Sequence, residues 1–377
     1  MTVRAPKRNS NLTWPQVSAF RLARHNLLVA NFGDPVAVSR AICGIQAQLM
    51  ASAHMAVWAR AHHLRPADIN SALTKTRLLV KTLCMRRTLH LVPSDEFPVY
   101  INALKPSRMA ALMRVMSRLG ITQRDAEHLN RTVAEELSSG PMTRAELIAV
   151  VRPRMNRKIK TWMGLVSSQF SPALTEGLIC YGPDNGKEVT FIRVDQWLPR
   201  QPPMSEPEAK RILFRRYLSA YGPATLQDLA YWSGMSMKET RDATALLSGE
   251  LTEVRVVDKT GLILSKDYAE LTEAGPAEDA VRLLPGFDPF LLGHADKTPL
   301  VSADHYKHVY RNQGWISPVV LVNGQVAATW SSKRRGKLLS VEVEPLRKLT
   351  RRICSMIQEE AASLGAFLDT PVEVKFR

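Results

Sequence analysis

Gly140-Pro141-Met142-Thr143-Arg144-Ala145-Glu146-Leu147 and Gly222-Pro223-Ala224-Thr225-Leu226-Gln227-Asp228-Leu229 share one pattern, Gly-Pro-x-Thr-x-x-x-Leu. In both copies the threonine stands where its side-chain oxygen can cap a new helix, and each copy follows a helical stretch. Beyond the first copy, after more helix, come Gly177-Leu178-Ile179-Cys180-Tyr181 and Glu188-Val189-Thr190-Phe191-Ile192-Arg193. Gly-Pro-Asp-Asn-Gly between them is a strong hairpin signal. The second copy leads to strand-like residues 251–257 and 262–264, joined across Asp258-Lys259-Thr260-Gly261. Helix, capped helix, helix and hairpin is the order of a winged helix-turn-helix unit, and it occurs twice.

Working outward, the order alone suggests a third, earlier unit. Residues 14–29 and 35–65 read as helical, a helix is expected near 67–75, and 82–92 reads as a strand. After Gly275 the pattern changes. Leu283-Leu284-Pro285-Gly286-Phe287-Asp288-Pro289 is a turn-rich connector into a β segment, with strands expected at 319–322, 326–330 and 338–343 and a turn at Asn323-Gly324. The expected architecture is therefore α+β: winged-helix units at 12–95, 96–200 and 201–283, then a β-rich segment at 284–377.

A chain of 377 residues with 45% hydrophobic and 23% charged content can bury several small cores. Its 51 Lys and Arg against 35 Asp and Glu give a formal net charge of +16, which favours a polyanionic partner, nucleic acid first. The charge is clustered: 75–118 and 333–352 are strongly basic, whereas 239–279 is comparatively acidic. No run approaches the ~18 apolar residues of a membrane-spanning helix. The basic, polar residues 1–11 have no apolar signal core, so a cytoplasmic protein is expected. Cys43, Cys84, Cys180 and Cys354 are too scattered for metal spacing and too few for a secreted disulfide scaffold, and read as buried thiols. His305 and His308, beside Asp304, could share a helical face, but a surface pair explains them more simply than a metal site. No metal or cofactor is expected.

The segment Gly44-Ile45-Gln46-Ala47-Gln48 places two amides two residues apart, and 35–67 contains Arg40, Arg60 and Arg65 but no acidic side chain. A water activated there would be oriented rather than deprotonated by a strong base. On a helix, Gln46 and Gln48 would point about 200° apart, whereas in an extended segment they share a face. Gly44 is a reasonable helix terminator, after which Ile45, Ala47 and Leu49 could pack inward and both amides face a cleft. A continuous helix over 36–61 would separate them, and glutamine is an ordinary helix residue.

Four segments in order carry a resemblance: Gly44-Ile45-Gln46-Ala47-Gln48, Arg86-Arg87-Thr88-Leu89-His90-Leu91-Val92-Pro93, Leu284-Pro285-Gly286-Phe287-Asp288-Pro289-Phe290-Leu291-Leu292-Gly293, and Gly324-Gln325-Val326-Ala327-Ala328-Thr329-Trp330. Together they resemble the AlkZ/YcaQ family of bacterial winged-helix DNA glycosylases over nearly the whole chain. The resemblance implies a C-shaped, DNA-embracing molecule that excises N7-alkylated purines and unhooks interstrand crosslinks. It implies Gln46 and Gln48 as the catalytic pair, in the branch of the family with two glutamines, and places His90 near the active cleft as a second-tier residue. Asp288 reads as a turn-former, with a catalytic carboxylate as the alternative.

The basic hairpin around Lys333, Arg334, Arg335 and Lys337 reads either as a solvated tip or as a probe of a DNA groove, where its charges neutralise phosphates. Lys81, Arg86 and Arg87 are similar candidates in the first unit. The expected partner is double-stranded DNA bearing N7-alkylpurine lesions, bound by a monomer in general repair or in self-resistance to a genotoxic natural product. No lysine lies close to the glutamines, Lys75 being the nearest downstream, which favours a monofunctional hydrolase over a lyase. A winged-helix transcription regulator without chemistry is the alternative, and an RNA-binding protein shares the charge signature but shows no RNA-binding motif. Aromatic residues look too scattered for a base-capture pocket.

Overall fold

The computed structural model describes residues 7–165 and 169–377; the expectation for the N-terminus falls partly outside them. Both Gly-Pro-x-Thr segments do what their chemistry predicts. Thr143 and Thr225 form capping boxes with Glu146 and Asp228 at the starts of helices Arg144–Val151 and Leu226–Ser233. The residue ahead of each threonine joins the neighbouring hairpin: Met142 pairs with Phe191, and Ala224 bridges Leu262. The second copy runs from helix Glu206–Tyr221 through Leu226–Ser233 and Met237–Ala245 to the hairpin Leu251–Val256 and Lys259–Leu264.

That hairpin corrects one reading. Its turn is Val257-Asp258, because Val256 pairs with Lys259, and Gly261 lies inside a strand opposite Val254. A Cβ at Gly261 would sit 3.2–3.3 Å from Pro223 and Ala224, so glycine admits a neighbouring backbone there rather than making the turn.

Residues 35–65 are not one helical run. Helix Pro35–Ala41 ends at a reversal in which Cys43 and Gly44 take φ +58° and +91°, and the two-residue strand Ile45–Gln46 follows. Helix Met50–Trp58 resumes afterwards. The reading of 82–92 as one strand is also corrected. Strands Leu79–Leu83 and Leu89–Pro93 form an antiparallel hairpin whose tip is Met85-Arg86-Arg87.

Three sheets organise the described residues. Six strands run in the order Ile45–Gln46, Leu89–Pro93, Leu79–Leu83, Ile179–Tyr181, Thr190–Arg193, Met142–Thr143, so one sheet carries residues from both sides of position 95. A three-stranded sheet adds Lys7–Leu12, parallel, to the Leu251–Val256 hairpin; this strand was not visible in the polar N-terminal sequence. The C-terminal sheet has five strands, Val281–Leu284, Val319–Val322, Gln325–Arg335, Leu338–Pro345 and Val372–Phe376, with helix Arg351–Phe367, also unread from sequence, packed against it. No helix among the described residues is long and apolar enough to cross a membrane. Cys43, Cys84 and Cys180 are buried thiols, whereas Cys354 is partly exposed.

Candidate active site

Gln46 ends the two-residue strand, and Gln48 follows in the bend before helix Met50–Trp58. Ile45 and Ala47 are fully buried in a core shared with the C-terminal sheet, while Cys43, Met85 and Val92 belong to a second core shared with helix Glu206–Tyr221. The strand is thus clamped between two cores, and alternation turns Gln46 away from the face of Ile45. Leu49 does not pack inward; it is 41% exposed at the entry to the next helix.

Gly44 makes the reversal possible. Its φ of +91° is a region glycine enters freely, and an added Cβ would press on Val92 and Met85 at 3.2–3.3 Å. The turn is tied by Gly44 N–H donating to Ser39 O at 2.8 Å and Ser39 Oγ donating to Leu91 O at 2.9 Å. From the other side, Tyr221 Oη donates to Ile42 O at 2.9 Å.

Gln46 is buried opposite His90. Arg86 Nη2 donates to Gln46 Oε1 at 2.9 Å, and Arg86 Nη1 donates to Trp232 O at 3.0 Å. A guanidinium only donates, so the amide must turn its oxygen to Arg86 and leave its NH2 free; that nitrogen has no hydrogen-bond partner among the described residues. Arg86 and Arg87 both hold left-handed backbone, φ +53° and +59°. Non-glycine residues pay for that conformation, and such strain concentrates at functional sites.

Gln48 is exposed and its Oε1 accepts from Leu89 N–H at 3.5 Å, the long limit of a hydrogen bond. Both amides therefore lean toward the start of the same strand. His90 is 2% exposed, and burial together with Arg86 pushes it down to about 3, so it is neutral. Its Nδ1 lies 3.0 Å from Thr88 O, which can only accept, so the proton sits on Nδ1. Nε2 is then an acceptor facing Arg86 Nη2 at 3.5 Å.

Other sequence candidates scatter. Asp288 is the turn-former of the leading reading, not the catalytic carboxylate of the alternative: it caps helix Pro289–Leu292 through Phe290 N–H at 2.9 Å, is fully buried, and accepts from Arg60 Nη2 and Nη1 at 2.8 and 2.9 Å. Arg86 points inward to Gln46 rather than outward to a phosphate. Lys81 is half-buried over the Tyr181 ring, 5.3 Å away. Arg87 is exposed at the hairpin tip, as are Lys333, Arg334, Arg335 and Lys337 around the turn at Gly336. None of these last four makes an ion pair among the described residues. His305 and His308 have ring centroids 6.1 Å apart.

Two features escaped the sequence. One is the bracing of Gln46 by Arg86, which needs a partner carbonyl 146 residues away. The other is an aromatic group, Tyr231, Tyr306 and Tyr310, gathered around Lys297 from two distant segments. An arginine pair with left-handed backbone carries no local signature, although Arg86-Arg87 ahead of Thr88-Leu89-His90 was among the segments carrying the resemblance.

The chain is similar to known proteins over most of its length. A family model described as "DNA glycosylase AlkZ-like" matches residues 40–367. The chain is 31% identical over 371 residues to an "Interstrand DNA cross-link repair glycosylase" of Streptomyces sahachiroi, covering 94% of this chain and 96% of that protein. Its fold superposes on the solved structure of Streptomyces sahachiroi DNA glycosylase AlkZ with a TM-score of 0.83 and 28% identity, covering 97% of this chain and all of the other. The α+β architecture is that of the solved relative, and the chain belongs to the AlkZ-like DNA glycosylase family.

Proposed function

We propose that this glycosylase hydrolyses the N-glycosidic bond of cationic N7-alkylpurines in double-stranded DNA, with Gln46 and Gln48 as its catalytic residues. The supporting observation is the orientation of Gln46: its oxygen is held by Arg86 and its NH2 is free, two residues along the chain from the exposed Gln48 amide.

Alkylation at N7 gives the purine a full positive charge, so bond breaking releases a neutral base and needs little acid assistance. The remaining demand is to hold a water against the sugar as positive charge develops at the anomeric carbon. Free amide groups do this by position. Gln48 Oε1, at the long limit of its bond to Leu89, has lone-pair capacity for a water proton, and the Gln46 NH2 can donate to a sugar or phosphate oxygen. Neutral His90 adds no positive charge beside the developing cation. Arg86 is a positioning residue: its two bonds fix Gln46 against the backbone of helix Leu226–Ser233, so the seating of the third unit and the aim of the amide are linked.

The same reading takes the repeated helix, capped helix, helix and hairpin order as tandem winged-helix units at 12–95, 96–200 and 201–283. With the segment at 284–377 they embrace DNA as a monomer, and Lys333, Arg334, Arg335, Lys337 and Arg87 neutralise phosphates. The relative's name, an interstrand DNA cross-link repair glycosylase, supports crosslinks as substrates in repair; bulky N7-guanine adducts and self-resistance extend the same reading. The pair of amides supplies no nucleophilic amine, which supports monofunctional hydrolysis.

The test is incubation of the protein with duplex carrying N7-methylguanine, followed by hot alkali to cleave abasic sites. Strand breaks above the spontaneous background support the reading. Sequence-selective binding without breaks points to a regulator instead.

A further inference from the structure

Across the Arg86 guanidinium from Gln46 stands a surface assembled from three segments. Trp232 O receives Arg86, and its neighbour Tyr231 lies with its ring 4.7 Å from Lys297 Nζ. The same ammonium is 5.2 Å from the Tyr310 ring and donates to Leu291 O at 2.9 Å, the carbonyl that also accepts from Tyr310 Oη at 2.9 Å. Tyr306 stacks on Tyr310 with centroids 5.0 Å apart. Through Trp232 O, which receives the same Arg86 that holds Gln46, this assembly borders the glutamine site.

Tyr231 and Tyr306 are 38% and 43% exposed, and Trp315, edge-on to Phe287 at 5.2 Å, is 50% exposed. Between Tyr306 and Trp315 the exposed residues include Lys307 and Arg311, neither in an ion pair among the described residues, and Asp304 is the only carboxylate from 303 to 318. The arm is anchored rather than loose: Arg311 N–H donates to Trp315 O at 2.8 Å, Ser317 Oγ to His308 O at 2.8 Å, and Tyr310 bridges Ile316. Exposed rings on a fixed frame, interleaved with free cations, match the chemistry that takes single nucleotides: rings stack on a base, and cations hold the flanking phosphates.

We propose that the arm 304–315, with Tyr231, is a stacking platform for an unpaired nucleobase next to the lesion. It rests on the reading of Gln46 and Gln48 as the lesion site, and makes damage recognition depend on a displaced base resting on Tyr306 or Trp315 rather than entering a deep pocket.

The test uses the full chain with the double variant Tyr306→Ala/Trp315→Ala. Both rings are exposed, and an unchanged melting temperature confirms folding. Binding is measured to an intact duplex and to one with a stable tetrahydrofuran abasic analogue, the base facing it being 2-aminopurine. Neither probe can be cleaved, so the result is independent of whether the protein excises N7-alkylguanine. The expected result is a loss of about tenfold in affinity for the abasic duplex only, with loss of the 2-aminopurine fluorescence change, and retention of both in Tyr306→Phe/Trp315→Phe. Equal losses on both duplexes, or no loss on either, overturn the proposal. Lys307→Ala/Arg311→Ala is expected to weaken both duplexes alike and lower the salt dependence; unchanged binding there would also count against it.

Discussion

Two hairpin tips in this protein carry adjacent basic side chains, and they do opposite things. At Lys333-Arg334-Arg335 the strand stays paired with Leu338-Leu339-Ser340, every residue from 331 to 337 is exposed, and Gly336 makes the turn at φ +62°. At Met85-Arg86-Arg87 the turn contains no glycine, two arginines take left-handed backbone, and Arg86 folds back to bind Gln46 and Trp232 O. The first tip is built cheaply and offers charge to solvent. The second is strained and is held by tertiary contacts, so its charge serves the interior. Basic composition alone does not separate them; backbone conformation and the partners of each guanidinium do.

The largest expected effect concerns neither tip and serves as the control for both. Asp288→Asn breaks the fully buried pair with Arg60 and should destabilise the protein by about 3–5 kcal/mol, read as a lower denaturation midpoint. The rate per folded molecule should stay at the wild-type value, and a collapse in rate would return Asp288 to the active site. Arg86→Ala should lower the single-turnover rate about a hundredfold with little change in DNA affinity, because it misaims an amide rather than removing a phosphate contact. Exogenous guanidinium should restore part of that rate. A loss confined to affinity would make the two tips equivalent.

The triple variant Lys333→Ala/Arg334→Ala/Arg335→Ala should do the reverse. If each side chain contacts one phosphate, the slope of log affinity against log salt should fall by about 3, with the rate at saturation preserved. An unchanged slope would mean that the tip touches no DNA. A further effect appears only in acid. His90 is held down at about 3 in the folded protein, so the unfolded chain binds its proton first as pH falls through about 6.5. Its contribution to stability is present above that pH and is lost progressively toward pH 3. A His90→Gln variant should therefore lose less stability than the wild type over that range, and an identical pH dependence would show that the ring is not buried neutral.

Legibility in the sequence followed the range of the forces involved. Thr143 and Thr225 were readable because a capping box is closed within four residues. The amide pair was readable because Gly44 supplies a local reason for leaving the helix. Residues 82–92, in the 79–93 hairpin, were read as one strand because Cys84-Met85-Arg86-Arg87 has no turn former, and tertiary contacts such as Arg86 to Trp232 O and the close approach of Gly234, where an added Cβ would lie 3.4 Å from the Arg86 backbone, stabilise what the residues themselves disfavour. Asp288 was readable as a turn-former, but its burial against Arg60, 228 residues away, was not. Strand Lys7–Leu12 finds its parallel partner at Leu251–Val256, and nothing in a short polar stretch announces such a pairing.

The central claim is that the Gln46 amide, aimed by Arg86, and its neighbour Gln48 position the attack on the glycosidic bond. The most direct measurement is single-turnover release of N7-methylguanine from duplex DNA under saturating protein, comparing wild type with Gln46→Ala and Gln48→Ala. Base release should fall to the spontaneous rate in each variant while duplex affinity stays within about twofold. Wild-type release rates in both variants, with binding intact, would contradict the claim.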